Sequence, residues 1–408
     1  MLIYPPMNNT KKEKLLSDLY AKLRAGIKPG LERTIALANA MSNPQDSYPT
    51  IHIAGTNGKG TTCSVVASLL TEMGLTVGLY TSPHIKDFNE RIRVNGTPIT
   101  DDELIDFSET LLPIAEDLDA TFFEITTIMA FMHFQNHHVD VAVIETGMGG
   151  RFDSTNILKP KVTCITDIDL DHQEFLGDTI EQIAFEKAGI IKLNTPVINT
   201  NTDKAILDVI TDKASKMSAE IITPTSEIEQ NVLTEITKSY VSKSFQKNYK
   251  AALTVTEIYL GNPVDKEIQL NAIKSLRENS GYFGRMEVID ENPLTIIDIA
   301  HSPAAAKNLI ESLFAYYPNQ KWTIVIAMMK DKNFRDIVNQ LEQIAERFIF
   351  TQVTGDRSAK ASELASAVIN SEVEYSTIDN PKAALSEAKQ ISNPILIVGS
   401  FYLASEIL

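Results

Sequence analysis

The stretch Ile51-His-Ile-Ala-Gly-Thr-Asn-Gly-Lys-Gly-Thr-Thr62 constrains the chain more than any other. It reads as a buried strand, a glycine-rich loop and the start of a helix. Gly55, Gly58 and Gly60 keep Cβ atoms out of the loop, so backbone N–H groups can turn inward around phosphate oxygens. Lys59 adds a cation. Thr61 or Thr62 adds a hydroxyl at the helix N-terminus, where the helix dipole also favours an anion. The spelling departs from the usual phosphate-loop pattern G-x-x-x-x-G-K-[ST]. Ile53 stands where the first glycine belongs, and Gly60 separates the lysine from the threonine. Three glycines, a lysine and two threonines between a β-rich run and an amphipathic helix still favour nucleotide binding over a plain glycine turn.

Strands and helices alternate on both sides of this stretch. Residues 11–42 have helical periodicity, with Leu15, Leu16, Leu19 and Leu23 on one face, interrupted at Gly26 and Pro29-Gly30. A second β-rich run, Leu75–Tyr80, ends in Thr81-Ser82-Pro83-His84, and a long mobile surface loop is expected over Ile85–Thr100, with a hairpin at Val94–Pro98. Val139–Ile144 is a continuous apolar run, as expected of a strand buried on both faces of a parallel sheet. Val162–Ile165 is a further strand. Residues 199–240 are polar and weakly patterned, and are expected to form short elements at the edge of the domain. Gly281 to Pro293 interrupts the pattern, and alternation restarts at Leu294. These signals predict an α/β chain: a P-loop-type, doubly wound, mostly parallel sheet over 1–292, then a second, smaller Rossmann-like α/β domain over 293–408.

In open α/β sheets, ligands bind at the carboxyl ends of the strands. Four polar sites fall there: the glycine loop, Ser82, Glu145 and His172. A hydroxyl, a carboxylate and an imidazole around phosphates point to Mg²⁺, which takes few protein ligands and completes its shell with phosphate oxygens. Taken singly, each has a plain alternative as a cap, a surface charge or a turn residue. Lys187 is the least expected residue. It falls on the apolar stripe formed by Ile180, Ile183, Ala184, Ala188 and Ile191, in a helix for which Asp178 and Glu181 suggest a capping box. Two readings stand. The pattern alone favours a lysine whose stem packs while its amine reaches water. The other is a desolvated amine of lowered pKa, able to add carbon dioxide and become a carbamate ligand. Asp298-Ile-Ala-His301-Ser302-Pro303 follows a strand: either a nucleotide-binding acid and histidine, or an N-cap cluster with Ser302-Pro303 at Ncap and N1. Arg285 stands at the domain junction, open between a phosphate contact and a plain surface residue.

A net charge of −16 excludes a nucleic-acid groove as the main business, because neutralising a phosphate backbone needs clustered Lys and Arg. The two cysteines, Cys63 and Cys164, fit a reducing compartment. Cys63 reads as a small buried residue rather than a reactive thiol. The start Met-Leu-Ile-Tyr-Pro-Pro lacks signal-peptide features, and no apolar run reaches the ~20 residues that span a bilayer. A cytoplasmic location without membrane partners is expected.

In order along the chain, the motifs A-G-T-N-G-K-G-T-T from Ala54, T-S-P-H from Thr81, F-N-E-R-I-R-V-N-G from Phe88, T-F-F-E from Thr121, E-T-G-M-G-G-R-F-D-S-T-N from Glu145, D-L-D-H from Asp169, F-E-K-A-G-I from Phe185, G-R-M-E from Gly284 and D-I-A-H-S-P from Asp298 resemble the folate branch of the Mur ligase superfamily. That branch holds the folylpolyglutamate and dihydrofolate synthases. The resemblance implies ATP phosphates on Asn57, Gly58, Lys59, Gly60 and Thr61. It implies two Mg²⁺ sites drawing on Ser82, Glu145 and His172, and a carbamylated Lys187. Lys59, Glu145, His172 and Lys187 would form the catalytic centre. Asn248 is implied on the adenine side, and Arg285, Asp298 and His301 as nucleotide contacts of a glutamate-binding second domain that closes over ATP. Thr121, Phe122, Phe123, Glu124, Phe152, Asp153 and Ser154 are implied around the pterin substrate. The implied partners are small molecules (dihydropteroate, folates, L-glutamate and ATP), and the implied state is a monomer. Ser302 stands where the family usually has Asn, and Phe245 where the helix motif usually has His. The implied reaction is ATP-dependent addition of glutamate to dihydropteroate, to folates, or to both. Two rivals are weighed: a muramyl-peptide-type ligase, opposed by the T-F-F-E and T-S-P-H motifs, and a nucleotide switch, opposed by a lysine on an apolar helix face.

Overall fold

The computed structural model describes residues 11–24, 29–84, 87–225, 227–355, 357–391 and 393–407, with 23 and 24 in their backbone only. The expected break at Gly26, the packing of Leu23, the N-terminal Met-Leu-Ile-Tyr-Pro-Pro and residues 85 and 86 of the expected loop lie outside the described residues. Among the described residues, no helix is long and apolar enough to cross a membrane.

The chain forms two units: Met1–Val232 with Ser244–Tyr282, and Leu233–Lys243 with Phe283–Leu408. The first is built on β1 (Thr50–Ala54), β2 (Val77–Tyr80), β3 (Ile92–Val94), β4 (Thr97–Pro98), β5 (Val141–Glu145), β6 (Val162–Ile165), β7 (Val197–Asn199) and β8 (Ile221–Ile222). Their spatial order is β4-β3-β2-β5-β1-β6-β7-β8. The six strands from β2 to β8 run parallel, and β3 and β4 close one edge as an antiparallel hairpin. Ile51 and Ile53 are fully buried, as are Val141 to Ile144 on β5. A side chain of this kind contributes about 1.5–3 kcal/mol when fully buried. β-branched residues suit such a strand because their stiff χ1 costs little on a pleated surface. On one face, Ala142 and Ile144 join Phe122, Ile125, Phe131 and Phe134 of the helix Phe122–Asn136. On the other, Ala54 and Ile165 join Ile183, Ala184 and Ala188 of the helix Ile180–Ala188.

The second unit has six strands, β9 (Glu287–Glu291), β10 (Leu294–Ile297), β11 (Trp322–Ile326), β12 (Ala345–Phe350), β13 (Glu374–Thr377) and β14 (Ile395–Val398), ordered β13-β12-β11-β14-β10-β9. All pairs are parallel except β9 with β10.

Four expectations are corrected. The boundary expected at 292/293 lies near 283, because β9 pairs with β10 in the second sheet and Leu233–Lys243 also belongs to that unit. Much of the expected loop Ile85–Thr100 is regular secondary structure. Asp87 caps a short 3-10 helix, Phe88–Arg91, with a capping box to Glu90, and the expected hairpin follows. Residues 199–240 are not mainly short elements, since they include the helices Lys204–Lys216 and Gln230–Ser239. The capping box of the Lys187 helix is one residue later than expected, with Thr179 capping Gln182 in place of Asp178 and Glu181. A hydroxyl capping its own N3 position wins over a carboxylate one residue earlier because the helix starts at Ile180.

Candidate active site

β1 lies between β5 and β6, so the carboxyl ends of those two strands flank the glycine loop. A Cβ at Gly55 would stand 1.9 Å from Thr166 Oγ1, on the segment after β6. Gly58 occupies the N-cap position of the helix Lys59–Glu72 with φ +89°, and no side chain caps that helix. A Cβ there would meet Asn248 Oδ1 at 2.4 Å, so only glycine allows the loop to lie against the helix Lys243–Leu260. The loop is tied down by Asp167, whose carbonyl accepts from Thr56 N (2.7 Å) and Asn57 N (3.0 Å). Asp167 is itself held by Lys247 and by Thr200 Oγ1 at 2.9 Å. Lys59 folds back on its own loop and donates to the carbonyls of Gly55 (3.0 Å) and Thr56 (3.2 Å). Thr61 is buried, its hydroxyl 3.4 Å from the Tyr282 hydroxyl.

Glu145 ends β5, opposite Ile53 in the register of β1. Its side chain is buried, and Oε2 accepts from Ser82 N at 3.0 Å. A Cβ on Gly60 would sit 3.5 Å from the same oxygen, which places Glu145 against the first turn of the loop helix. Lys187 is 2% exposed, and its amine donates to the Gly55 carbonyl at 2.8 Å. The stem-packed, water-reaching alternative therefore fails, because the amine points into the unit. Burial, reinforced by the Lys59 charge, brings its pKa down to about 7, against the pull of Asp171 and Asp153. Two amines, Lys59 and Lys187, thus share one carbonyl beside a buried carboxylate. His172 stands apart on the exposed loop after β6, in a left-handed backbone conformation (φ 48°) and 3.6 Å from Asp171. Cys63 is fully buried, and burial pushes its thiol well up, in line with a packing role.

The implied substrate residues divide into scaffold and surface. Asp153 Oδ2 accepts from Gly147 N (2.9 Å) and Met148 N (3.0 Å), and Oδ1 from Thr155 N (3.0 Å) and the Thr155 hydroxyl. Burial raises its pKa while these bonds oppose the shift. Thr155 Oγ1 in turn meets His52 Nε2 at 2.8 Å in the middle of β1, so the turn after β5 is bolted to the central strand. Ser154 is buried at the start of the 3-10 turn Ser154–Ile157. Phe122 is 1% exposed and packs among Tyr20, Phe88 and Phe123, with the Arg91 guanidinium 5.4 Å from its centroid. Glu124 closes a capping box with Thr121 and accepts from Arg33 Nε at 3.0 Å. Phe152 is exposed, whereas Phe123 is half-buried against Phe122 and the core around it. A Cβ on Gly147 would touch Phe123 Cε1 at 3.3 Å, and Phe152 is 45% exposed under the Arg151 guanidinium, 4.2 Å away. Arg151 also pairs with both oxygens of Glu186.

In the second unit, Asp298 follows β10. Its carboxylate accepts from Met286 N (2.9 Å) and Ala300 N (2.8 Å), and burial lifts its pKa to about 6 against the pull of Arg285 and His301. His301 is exposed, with Nδ1 on the Ile299 carbonyl at 2.9 Å, and Arg285 is exposed. Ser302 caps the helix Pro303–Tyr316 through Ala305 N (3.3 Å), as its pairing with Pro303 predicts.

Sequence reasoning missed Asp167, Arg33 and the Arg151–Glu186 pair. Asp167 carried a signal, since it opens the acidic run that ends at His172 directly after a strand. Arg33 carried none, because its partner is ninety-one positions away.

Fold and site together define a P-loop-type α/β protein with a second α/β unit. Residues 53–262 match the Mur ligase middle domain and residues 284–401 the Mur ligase glutamate ligase domain. The chain is 35% identical to the dihydrofolate synthase/folylpolyglutamate synthase of Bacillus subtilis, over 96% of this chain and 97% of that one. Among solved structures it is similar to folylpolyglutamate synthase from Thermotoga maritima, with a TM-score of 0.80 and 30% identity over 98% and 96% of the two chains. It is also similar to the bifunctional folylpolyglutamate synthase/dihydrofolate synthase from Yersinia pestis complexed with AMPPNP and Mn ion, with a TM-score of 0.77 and 27% identity over 99% and 98%. The chain belongs to the dihydrofolate synthase/folylpolyglutamate synthase family of Mur ligases.

Proposed function

We propose that this chain is an ATP-dependent amide ligase that adds L-glutamate to dihydropteroate, to the γ-carboxyl of folates, or to both, releasing ADP and phosphate. The observation that carries the reading is the convergence of Lys59 and Lys187 on the Gly55 carbonyl beside buried Glu145, at one end of an uncapped helix. The backbone N–H groups of Gly58 to Thr61 bind the ATP phosphates, and Lys59 leaves its two carbonyl partners for them. The donor set fits a hard divalent ion such as Mg²⁺ or Mn²⁺: Glu145 supplies a carboxylate, Ser82 a hydroxyl, His172 an imidazole, and Lys187, once carbamylated, a second carboxylate-like group. When bound, the ion neutralises charge on the transferring phosphoryl group. A pKa near 7 leaves a large neutral fraction of Lys187, the form that adds carbon dioxide.

The γ-phosphoryl group passes from ATP to the substrate carboxylate, giving an acyl phosphate and ADP. The amine of glutamate then attacks the acyl carbon and loses a proton, and the C–O bond to phosphate breaks. Such transfer depends on positioning and charge more than on a protein nucleophile. Phe123 and Phe152 offer apolar faces to the pterin, while Phe122, Glu124, Asp153 and Ser154 hold those faces in place and Thr121 caps the helix beneath them. Asn248 borders the adenine. Arg285, Asp298 and His301 serve the nucleotide from the second unit, which is also assigned L-glutamate. The working state is a cytoplasmic monomer, a reading that the two free, buried cysteines support as to compartment.

Phosphate release is the test, with ATP and Mg²⁺, dihydropteroate, tetrahydrofolate or a muramyl precursor, and a panel of amino acids. Turnover is expected only with a pterin substrate and L-glutamate. Turnover with the muramyl precursor, or none with either pterin, overturns the proposal.

A further inference from the structure

A separate cluster of ligand-type side chains sits in the first unit. His133 and His137 are four residues apart on the helix Phe122–Asn136 and its C-cap, so their rings share one face, with centroids 4.3 Å apart. Glu103 comes from the first turn of the helix Asp101–Asp117. Its Oε2 is occupied by Thr100, through N (3.1 Å) and Oγ1 (2.7 Å). Its Oε1 lies 2.7 Å from His137 Nε2 and 3.4 Å from His133 Nδ1. One donor atom from each of the three residues falls within 4.8 Å of the other two. His133 is 2% exposed, and its Nδ1 makes no hydrogen bond among the described residues, the nearest carboxylate oxygen being that of Glu103 at 3.4 Å. An unsatisfied buried nitrogen of this kind calls for a ligand.

We propose that Glu103, His133 and His137 form a transition-metal site of the zinc class, apart from the ATP site. Helical rise puts it about 20 Å along the helix from Thr121. A tetrahedral ion bound at about 2.0–2.1 Å holds neighbouring ligand atoms about 3.3 Å apart. The Glu103–His133 separation already matches. The Glu103–His137 separation opens by about half an ångström when the metal replaces the proton those two groups share. Two imidazoles and one carboxylate suit Zn²⁺, Co²⁺ or Ni²⁺ better than Mg²⁺. Thr100 fixes the carboxylate from behind, as an outer partner should. The His137 side chain is 42% exposed, which leaves an approach for the ion and for a fourth, water ligand. Occupancy would pin the helices Asp101–Asp117 and Phe122–Asn136 to each other.

The full chain, saturated with Mg²⁺ and ATP, is titrated with Co²⁺ and then Zn²⁺, following visible absorption and thermal melting. One equivalent of Co²⁺ with strong tetrahedral-type bands is expected, displaced by Zn²⁺, together with a melting temperature raised by Zn²⁺. His137→Ala and Glu103→Gln should each lose the bands and the thermal gain while still binding Mg²⁺ and ATP. His137 is partly exposed, so its variant keeps the core, and a cooperative melt serves as its folding control. No stoichiometric Co²⁺ uptake by the wild type, or uptake unchanged in both variants, overturns the proposal.

Discussion

Each unit places a strand end, a short loop and a helix N-terminus in sequence, after β1 in the first and β10 in the second, and the two solve the same problem in opposite ways. After β1, Gly58 takes the N-cap position and offers no side chain, so the first N–H groups of the helix Lys59–Glu72 are left for a ligand. After β10, Ser302 takes that position and spends its hydroxyl on Ala305 N. The acid just upstream, Asp298, is also committed to backbone N–H groups. The first helix end is built to receive an anion, and the second is largely satisfied by its own chain. Arg285 and His301, by contrast, are exposed.

The largest expected effect tests the open end. Gly58→Ala puts a Cβ at φ +89° and within 2.4 Å of Asn248, and should lower kcat/KM at least about 10³-fold, since misplaced phosphate donors lose both positioning and charge stabilisation. Single-turnover phosphate release would measure it, and wild-type rates would break the comparison. Next is Lys187→Met, expected to cost roughly 10²-fold in kcat, the scale of losing one transition-state charge contact. Lys187→Ala should lose most activity too and recover part of it with added short carboxylates, and full unrescued activity would refute the carbamate role.

The same Lys187→Met change should stabilise the ligand-free chain. The folded pKa, about 7, lies below the usual 10.5, so between those values the unfolded chain holds a proton that the folded chain lacks. The penalty for burying the charge is full below pH 7 and fades as pH rises toward 10.5. Denaturant melts of both proteins at pH 6 and pH 9.5 should therefore show a larger gain at pH 6. Asp298→Asn comes next, with an expected rise of about 10-fold in the KM for ATP, because one oxygen of the side chain becomes a donor facing an N–H. The smallest effect belongs to the closed end. Ser302→Ala should cost about 1 kcal/mol of stability, as an N-cap does, and leave kcat within about twofold. A large loss of activity would show that Ser302 contacts substrate, and so break the contrast.

Much of the candidate site's placement was legible in the sequence because parallel sheets gather ligand-binding groups at strand ends, and strand ends can be read from apolar runs. Glu145 is the last residue of a five-residue buried strand, and Ser82 and the glycine loop follow others. The cross-links that fix the site were not legible. His52, in mid-strand, looks like any core residue, yet it holds Thr155 and through it the Asp153 turn. Phe122 and Glu124 carry a substrate-like motif but are packed and paired inside the unit. Which of two adjacent phenylalanines is fully buried depends on helix phase against the sheet, and a motif does not record that. The unit boundary was misplaced for a related reason. β9 joins its sheet by antiparallel pairing across Asn292-Pro293, a turn that reads as a break in sequence.

By itself the sequence determined the alternation of strands and helices, the glycine loop and the stripe that carries Lys187. These are local, set by the backbone freedom of glycine and by the two side-chain periods of strand and helix. Only the tertiary structure decided the charge state of that lysine. Periodicity placed Lys187 on an apolar face, but whether its amine escapes to water depends on what covers the face. Here the amine ends on the Gly55 carbonyl with Lys59 nearby, 132 and 128 positions away along the chain, and burial, reinforced by the Lys59 charge, brings the pKa down to about 7.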